Sequence, residues 1–294
     1  MEKDDLKIES VNEQDVQKKE KKLNVENEIE RSLTKRFNSD IWRKFIKGIN
    51  KYEMLKEGDK IAVCISGGKD SMLMALCFKH LVKYSKFPFF VEYIVMNPGY
   101  KEENLNLIKQ NAKKIGLDIK FFDSPIFDIV NVMGGAPCYM CARMRRGYLY
   151  EFAESLGCNK IALGHHFDDA VETVLLSMLY GGEYKTMMPK LKSTNHTGME
   201  LIRPLYLVEE KDIILWKKYN NLEFLQCACK LTESIANGGE LESKRREIKL
   251  MLADMKKNNP NVCKNIFASI HNVNLSTIIG YTKNGKHINF LDEY

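Results

Sequence analysis

Ile61-Ala62-Val63-Cys64-Ile65-Ser66-Gly67-Gly68-Lys69-Asp70-Ser71 is the stretch on which the reading of this chain turns. Its five leading apolar residues describe a short strand buried on both faces, as in a parallel sheet. Ser66-Gly67-Gly68 interrupts the run, and Asp70-Ser71 opens a helical stretch that continues from Met72 to Leu81. Two glycines let the backbone turn sharply and let a ligand come close to the main chain. The hydroxyls of Ser66 and Ser71 add donors, and a helix N-terminus adds free N–H groups and partial positive charge. The corner is therefore an oxyanion cradle suited to a phosphate or pyrophosphate. Gly67 and Gly68 are adjacent, so it is neither a Walker A loop nor a Gly-x-Gly-x-x-Gly turn.

Working outward, the helical spacing of Ile41, Trp42, Phe45, Ile46 and Ile49 predicts a helix over 41–55, ahead of the first strand. Phe89–Met96 reads as a second strand with Asn97-Pro98-Gly99 as its exit, and 102–115 as a helix stopped by Gly116. Leu117–Phe122 is a third strand, 143–156 a helix stopped by Gly157, and 160–163 a fourth strand. A helix over 170–180 follows, and Met199–Pro204 supplies a fifth strand. This alternation predicts an α/β fold: a doubly wound, five-stranded parallel sheet with a small C-terminal helical segment. The domain reading is a charged leader over 1–38, a core over 39–205, a helical segment over 206–275 and a tail over 276–294.

The chain has 294 residues, 44% of them hydrophobic, enough for a sizeable core. No apolar run approaches a membrane span, and Met1-Glu-Lys-Asp-Asp shows no export signal, so a cytoplasmic protein is expected. A net charge of +6 permits a nucleic-acid partner without demanding one. Without an export signal, the eight cysteines are expected in metal or catalytic roles rather than disulfides. Cys64, Cys77, Cys158 and Cys263 fall in apolar surroundings and read as small buried hydrophobes. Cys138, Cys141, Cys227 and Cys229 remain.

In a doubly wound sheet, ligands gather at the carboxyl ends of the strands. The first strand ends at Ser66–Ser71, the second at Met96-Asn97, and the fourth at Gly164-His165-His166. That last run continues into Asp168-Asp169-x-x-Glu172-Thr173, with both aspartates at a helix start, where carboxylates are favoured. Together with Asp70 they are candidate Mg²⁺ donors, since Mg²⁺ needs few protein oxygens when phosphates supply the rest. Cys138-Tyr-Met-Cys141 has three readings: half a zinc site, a thiol redox pair, or cluster ligands. Arg143, Arg145 and Arg146 would lower the thiol pKa by proximity. The same arginines, with Lys185, Lys190 and Lys192, offer positive charge to a polyanion.

Ser66-Gly-Gly-Lys-Asp-Ser71 and Gly164-His-x-x-Asp-Asp169 resemble the pyrophosphate loop and second motif of the PP-loop ATPases, which adenylate a substrate. Pro137-Cys-x-x-Cys-x-Arg-x-Arg-Arg-Gly147, Tyr180-Gly-Gly, Met188-Pro-Lys-Leu191, Ile202-Arg-Pro-Leu205 and Glu210-Lys-Asp-Ile213 narrow this to the TtcA-type tRNA 2-thiocytidine synthetases, over roughly 40–275. The resemblance implies ATP- and Mg²⁺-dependent transfer of sulfur to a tRNA cytidine, with a [4Fe–4S] cluster on three cysteines. It implies ATP contacts at Ser66, Gly67, Gly68, Lys69, Asp70, Ser71, Met96, Arg145, Gly164, His165 and Asp169, and Mg²⁺ at Asp70 and Asp168. It places the cluster on Cys138, Cys141 and Cys227, with Cys229 a departure that leaves a fourth ligand open. Catalysis would centre on Asp70, Cys138 and Cys141. The implied partners are tRNA and a sulfur donor such as a cysteine desulfurase or sulfide; no membrane is implied, and a homodimer is allowed. The alternatives are a thiolase for another tRNA base, one using a cysteine persulfide without a cluster, and a non-catalytic ATP- or metal-binding regulator.

Overall fold

A computed structural model describes residues 25–126, 137–225 and 240–292, with the side chains of 137–142 and 240–243 excepted. The described residues up to 167 and from 188 to 225 form one compact unit; 168–187 and those from 240 onward form a second. The first unit opens with a helix over 25–34 (α1), a π-helical turn Asn38–Trp42 and helix α2 (Arg43–Lys51). Ile29 and Leu33 of α1 are buried, and Lys79 and Lys83 reach back to its acids Glu26 and Glu30.

The sheet and its helices follow as β1 (Lys60–Ile65), α3 (Lys69–Tyr84), β2 (Phe90–Asn97), α4 (Glu102–Ile115), β3 (Ile119–Asp123), α5 (Pro137–Ser155) and β4 (Lys160–Ala162). After α6 (Phe167–Gly181) come β5 (Lys190–Lys192), β6 (Glu200–Ile202) and α7 (Glu210–Tyr219). The strand order is β3-β2-β1-β4-β6-β5. β1 lies centrally, with Val63 opposite Tyr93 of β2 and Ala162 of β4, both in parallel pairing. Right-handed crossovers put α3 and α4 on one face and α5 on the other, because strand order reverses direction between β3 and β4.

The expected five strands are the parallel ones; the sheet has a sixth, β5, paired antiparallel to β6 at the edge. Lys190-Leu191-Lys192 has no run of apolar residues to announce it. It pairs because the chain turns back through 193–199, with Ser193 N–H bonded to Met199 O, and because Arg203 Nη1 donates to Met188 O. The helix expected from Arg143 begins earlier, at Pro137, so Cys138 and Cys141 belong to α5 itself. Proline is well placed there, since a first-turn N–H has no intrahelical partner to lose.

From Ser71 to Phe78 every residue of α3 is buried, as expected of a helix covered all round. One side lies on the sheet; on the other, Phe45 of α2 meets Phe78 edge-on at 5.6 Å. A separate cluster on the α5 face joins Leu149, Tyr150 and Ala153 to Ala62, Cys64, Ile94, Met96, Ile161 and Leu201. Cys64, Cys77, Cys158 and Cys263 are all buried. Burial pushes the Cys64 and Cys77 thiols far up, and Cys158 up to about 11.

In the second unit, α6 packs with α8 (Glu240–Asn258): buried Glu172 receives Arg245 at 3.3 Å and Lys249 at 3.6 Å. Helix α9 (Val262–Ser269) and a hairpin, β7 (Gly280–Lys283) and β8 (Lys286–Asn289), complete it, where only a tail was expected. Asn284 and Gly285 turn the hairpin, with φ of 53° and 78°. Both values match a type I′ turn, whose twist suits paired strands. No helix among the described residues is long and apolar enough to cross a membrane.

Two buried ionic groups hold the first unit together. Lys160 is 2% exposed, yet its Nζ meets Asp59 at 2.8 Å, Glu200 at 3.2 Å and Met54 O at 2.9 Å. Removing one member strands the others, so Lys160→Ala is expected to cost about 3–5 kcal/mol in urea unfolding. Burial alone would raise the Glu30 carboxyl, but bonds from Lys83 and His80 outweigh it and hold the pKa below the usual range. A depressed folded-state pKa contributes stability that is full above the unfolded value and lost as pH falls through the folded one. The stability difference between wild type and Glu30→Gln should therefore be constant above about pH 4.5 and shrink below it, as read by urea midpoints across pH.

Candidate active site

The turn after β1 is set by packing before any ligand is considered. Gly67 has φ +85°, and a Cβ there would stand 2.7 Å from Leu225 Cδ1 and 2.8 Å from Ile108 Cγ1. A Cβ on Gly164 would meet the Ser71 nitrogen at 2.9 Å. The exit of β4 thus lies directly against the first turn of α3, where no side chain fits. Ser71 is a brace: its hydroxyl accepts from Ser66 N–H at 3.1 Å and donates to Gly68 O at 3.0 Å.

Gly68 is different. It is the N-cap of α3 at φ −79°, a conformation open to any residue, and it supplies no side-chain cap. A Cβ there would make only ordinary contacts, with Ser66 Oγ at 3.6 Å and Leu225 O at 3.9 Å. The fold does not need this glycine. What its absent side chain leaves open is the approach to the first-turn amides, where an anion is held by N–H groups and the helix dipole.

Charged groups surround this opening. Lys69 Nζ is 3.2 Å from Asp70 Oδ2 and 2.9 Å from Glu210 Oε1. Burial pulls its pKa down, but the Asp70 and Glu210 charges outweigh that and hold the ammonium above its ordinary value. His166 is buried, with Nε2 3.9 Å from Asp70 Oδ1, while His165 is half-buried. Two residues that the sequence reading passed over thus belong to the site: Glu210, which steadies the loop lysine, and His166, which faces Asp70. Each lay inside a motif already singled out, but only the fold brings it to the loop.

Other expected site residues are placed less directly. The Met96 side chain is in the α5-face core, so only its backbone is offered at the end of β2. Asn97 caps its own loop, accepting from Gly99 and Tyr100 N–H. Arg145 is half-buried, and its Nε is buried and has no hydrogen-bond partner among the described residues. Asp168 and Asp169 occupy the first turn of α6 in the second unit, with Lys256 3.6 Å from Asp168 and Thr173 donating to Asp169 O. The side chains of Cys138 and Cys141, and Cys227 and Cys229 entirely, lie outside the described residues. Residues just before Cys227 are placed, however. Leu225 N–H donates to Gly67 O at 3.2 Å, and buried Asn111 Nδ2 donates to Glu223 O at 2.7 Å. Among the described residues, no three His, Cys, Asp or Glu side chains gather as a metal site.

The two glycines should separate by experiment. Gly67→Ala should lose about 1–3 kcal/mol of stability, from the strained φ and the clash. Gly68→Ala should unfold within about 0.5 kcal/mol of wild type, yet bind ATP at least about tenfold more weakly by calorimetry.

Comparisons with known proteins agree with this geometry. The PP-loop domain family matches residues 25–234. The tRNA-cytidine(32) 2-sulfurtransferase of Alcanivorax borkumensis is 37% identical over 234 residues, covering 77% of this chain and 78% of its own. The enzyme of the same name from Ralstonia pickettii is 37% identical over 235 residues, covering 77% and 70%. Among solved structures, the U34-tRNA thiolase NcsA from Methanococcus maripaludis, with its [4Fe–4S] cluster, superposes with a TM-score of 0.62. It is 22% identical and covers 82% of this chain and 80% of its own, a likeness of fold. With a phosphate loop built as described and relatives of this identity along most of its length, the chain belongs to the PP-loop family and, within it, to the tRNA-cytidine(32) 2-sulfurtransferases.

Proposed function

We propose that this chain uses ATP to replace the 2-oxygen of a tRNA cytidine with sulfur, at nucleotide 32 as in the names of its relatives. The observation that carries the ATP half is the uncapped, unobstructed first turn of α3 at Gly68. The cytosine 2-carbonyl is a poor electrophile. Its oxygen attacks the α-phosphorus of ATP, the bond to the β-phosphate bridging oxygen breaks, and pyrophosphate leaves. Sulfide then adds at C2, the C–O bond breaks, and AMP departs with the oxygen.

Pyrophosphate departs into the amides of Gly68–Ser71, with Lys69 held at hand by Glu210. Arg145, whose buried Nε has no acceptor among the described residues, suits a phosphate oxygen of ATP. Asp70 is the carboxylate beside the loop, and Asp168 is the second carboxylate of the sequence motif; both are hard oxygen donors of the kind Mg²⁺ takes. Cys138, Cys141 and Cys227 are soft donors, suited to a [4Fe–4S] cluster and not to Mg²⁺. When bound, such a cluster supplies a thiophilic site for sulfur delivery, fed by a desulfurase or by sulfide. The Leu225–Gly67 hydrogen bond supports this assignment, since it ties the segment entering Cys227 to the phosphate loop.

The test is mass spectrometry of tRNA nucleosides from a deletion strain, with iron analysis of the anaerobically purified protein. 2-Thiocytidine should vanish and return with wild type but not with Asp70→Asn or Cys138→Ala. Iron should be about four per chain, lost in Cys227→Ala and kept in Cys229→Ala. Loss of a thiouridine instead would overturn the base assignment, and iron-free active protein would overturn the cluster.

A further inference from the structure

The first unit has a second concavity, away from the phosphate loop. It is a groove of about 1140 Å³ between α5 and the β5–β6 turn, and among the described residues neither Asp nor Glu lines it. Arg143, Arg146, Lys192 and Arg203 do. The first three are exposed, and among the described residues none of them has a carboxylate partner. Arg203 is 7% exposed and bonded to Met188 O, so its charge is built into the wall. Tyr150 and His196 stack at 4.9 Å between centroids and 18° between planes, with His196 Nδ1 3.0 Å from Glu154 Oε2.

We infer that this groove is the docking surface for the sugar-phosphate backbone of the tRNA; the inference rests on the thiolase reading. A small anion would be met by cations converging on a point. Here Arg143 and Arg146 stand one turn apart on α5 and Lys192 ends β5 opposite, and from Arg143 to Tyr150 the groove follows α5 for about 10 Å. Open, unneutralised cations release counterions from a polyanion, and the hairpin at Ser193 and Asn195 adds neutral donors. Partly exposed His196, braced by its stacking on buried Tyr150, adds an aromatic face of the kind on which an unstacked base rests. Because α5 runs antiparallel to the strands, its Arg143 end lies at the carboxyl edge that holds the phosphate loop. The RNA is thereby gripped along α5 while one nucleotide reaches the reacting end. Lys190, expected as a phosphate contact, is not part of the groove, for its Nζ is engaged by Glu53 O and Glu200.

The test compares full-length wild type, R143Q/R146Q/K192Q, and a control of equal charge change, K109Q/K113Q/K114Q, on exposed positions of α4. Affinity for unmodified tRNA is measured over a salt series, with ATP affinity and melting temperature alongside. The groove variant should bind tRNA about tenfold or more weakly, with a log–log salt slope shallower by about 2, and with unchanged ATP affinity. The control should bind as wild type does. Equal weakening in both variants, or none in the groove variant, overturns the groove while leaving thiolation standing. Competition by polyglutamate as strong as by RNA shows a general anion surface and also overturns it. Wild-type protein that does not bind tRNA overturns the thiolase reading, and the groove with it.

Discussion

Backbone meets backbone at one corner of this molecule, and the rest is arranged to permit it. Gly67 turns the chain out of β1 with Ile108 and Leu225 closed around it, and Gly164 brings the end of β4 against the Ser71 nitrogen. Elements distant in sequence thus converge where no side chain can stand. The loop is shaped by this packing and by the Ser66–Ser71 hydrogen bonds, not by a ligand. Its amides are therefore aimed before an anion arrives, and little ordering cost remains to be met on binding.

Lysine serves two opposed purposes around this corner. Lys160 is sealed beneath the sheet among Asp59, Glu200 and a backbone carbonyl, where desolvation offsets most of what the attraction contributes. Its work is to hold α2's exit, β4 and β6 in one register. Lys69 is held by two carboxylates at a partly open site, so it stays charged and stays in place. Glu210 links this lysine to α7, whose Trp216 is fully buried and stacks on Phe224, just before the segment that meets Gly67. Phosphate loop, α7 and the chain entering the Cys227 region are therefore one mechanical assembly.

On the reading proposed above, two surfaces of the first unit divide the recognition of a large substrate. The phosphate loop offers converging amides suited to a compact, highly charged group. The groove along α5 offers cations on α5 and β5 and the partly exposed ring of His196, suited to an extended one. Affinity for a polynucleotide can then reside in the groove, where salt tunes it, while the reacting end keeps its geometry.

Local backbone chemistry was legible in the residues themselves. The apolar run into Ser66-Gly67-Gly68 determined β1, the loop and α3, and Gly116, in the left-handed conformation, ends α4 as its spacing indicated. The parallel strands followed from the alternation of runs, and the burial of four cysteines from their neighbours. The Asn284-Gly285 hairpin also carried its signal, in the one dipeptide that best suits a type I′ turn. β5 did not, because two lysines around one leucine form a strand only when β6 stands ready to pair with them. Nor could the sequence alone show that Lys69 meets Glu210, 141 residues away, or that His166 faces Asp70. It could not show that Met96 spends its side chain in the core, or that Arg143, Arg146 and Lys192 share one groove. Turn geometry and burial are set by neighbours a few residues apart, whereas pairings over such distances exist only once sheet closure has met the entropy of bringing them together.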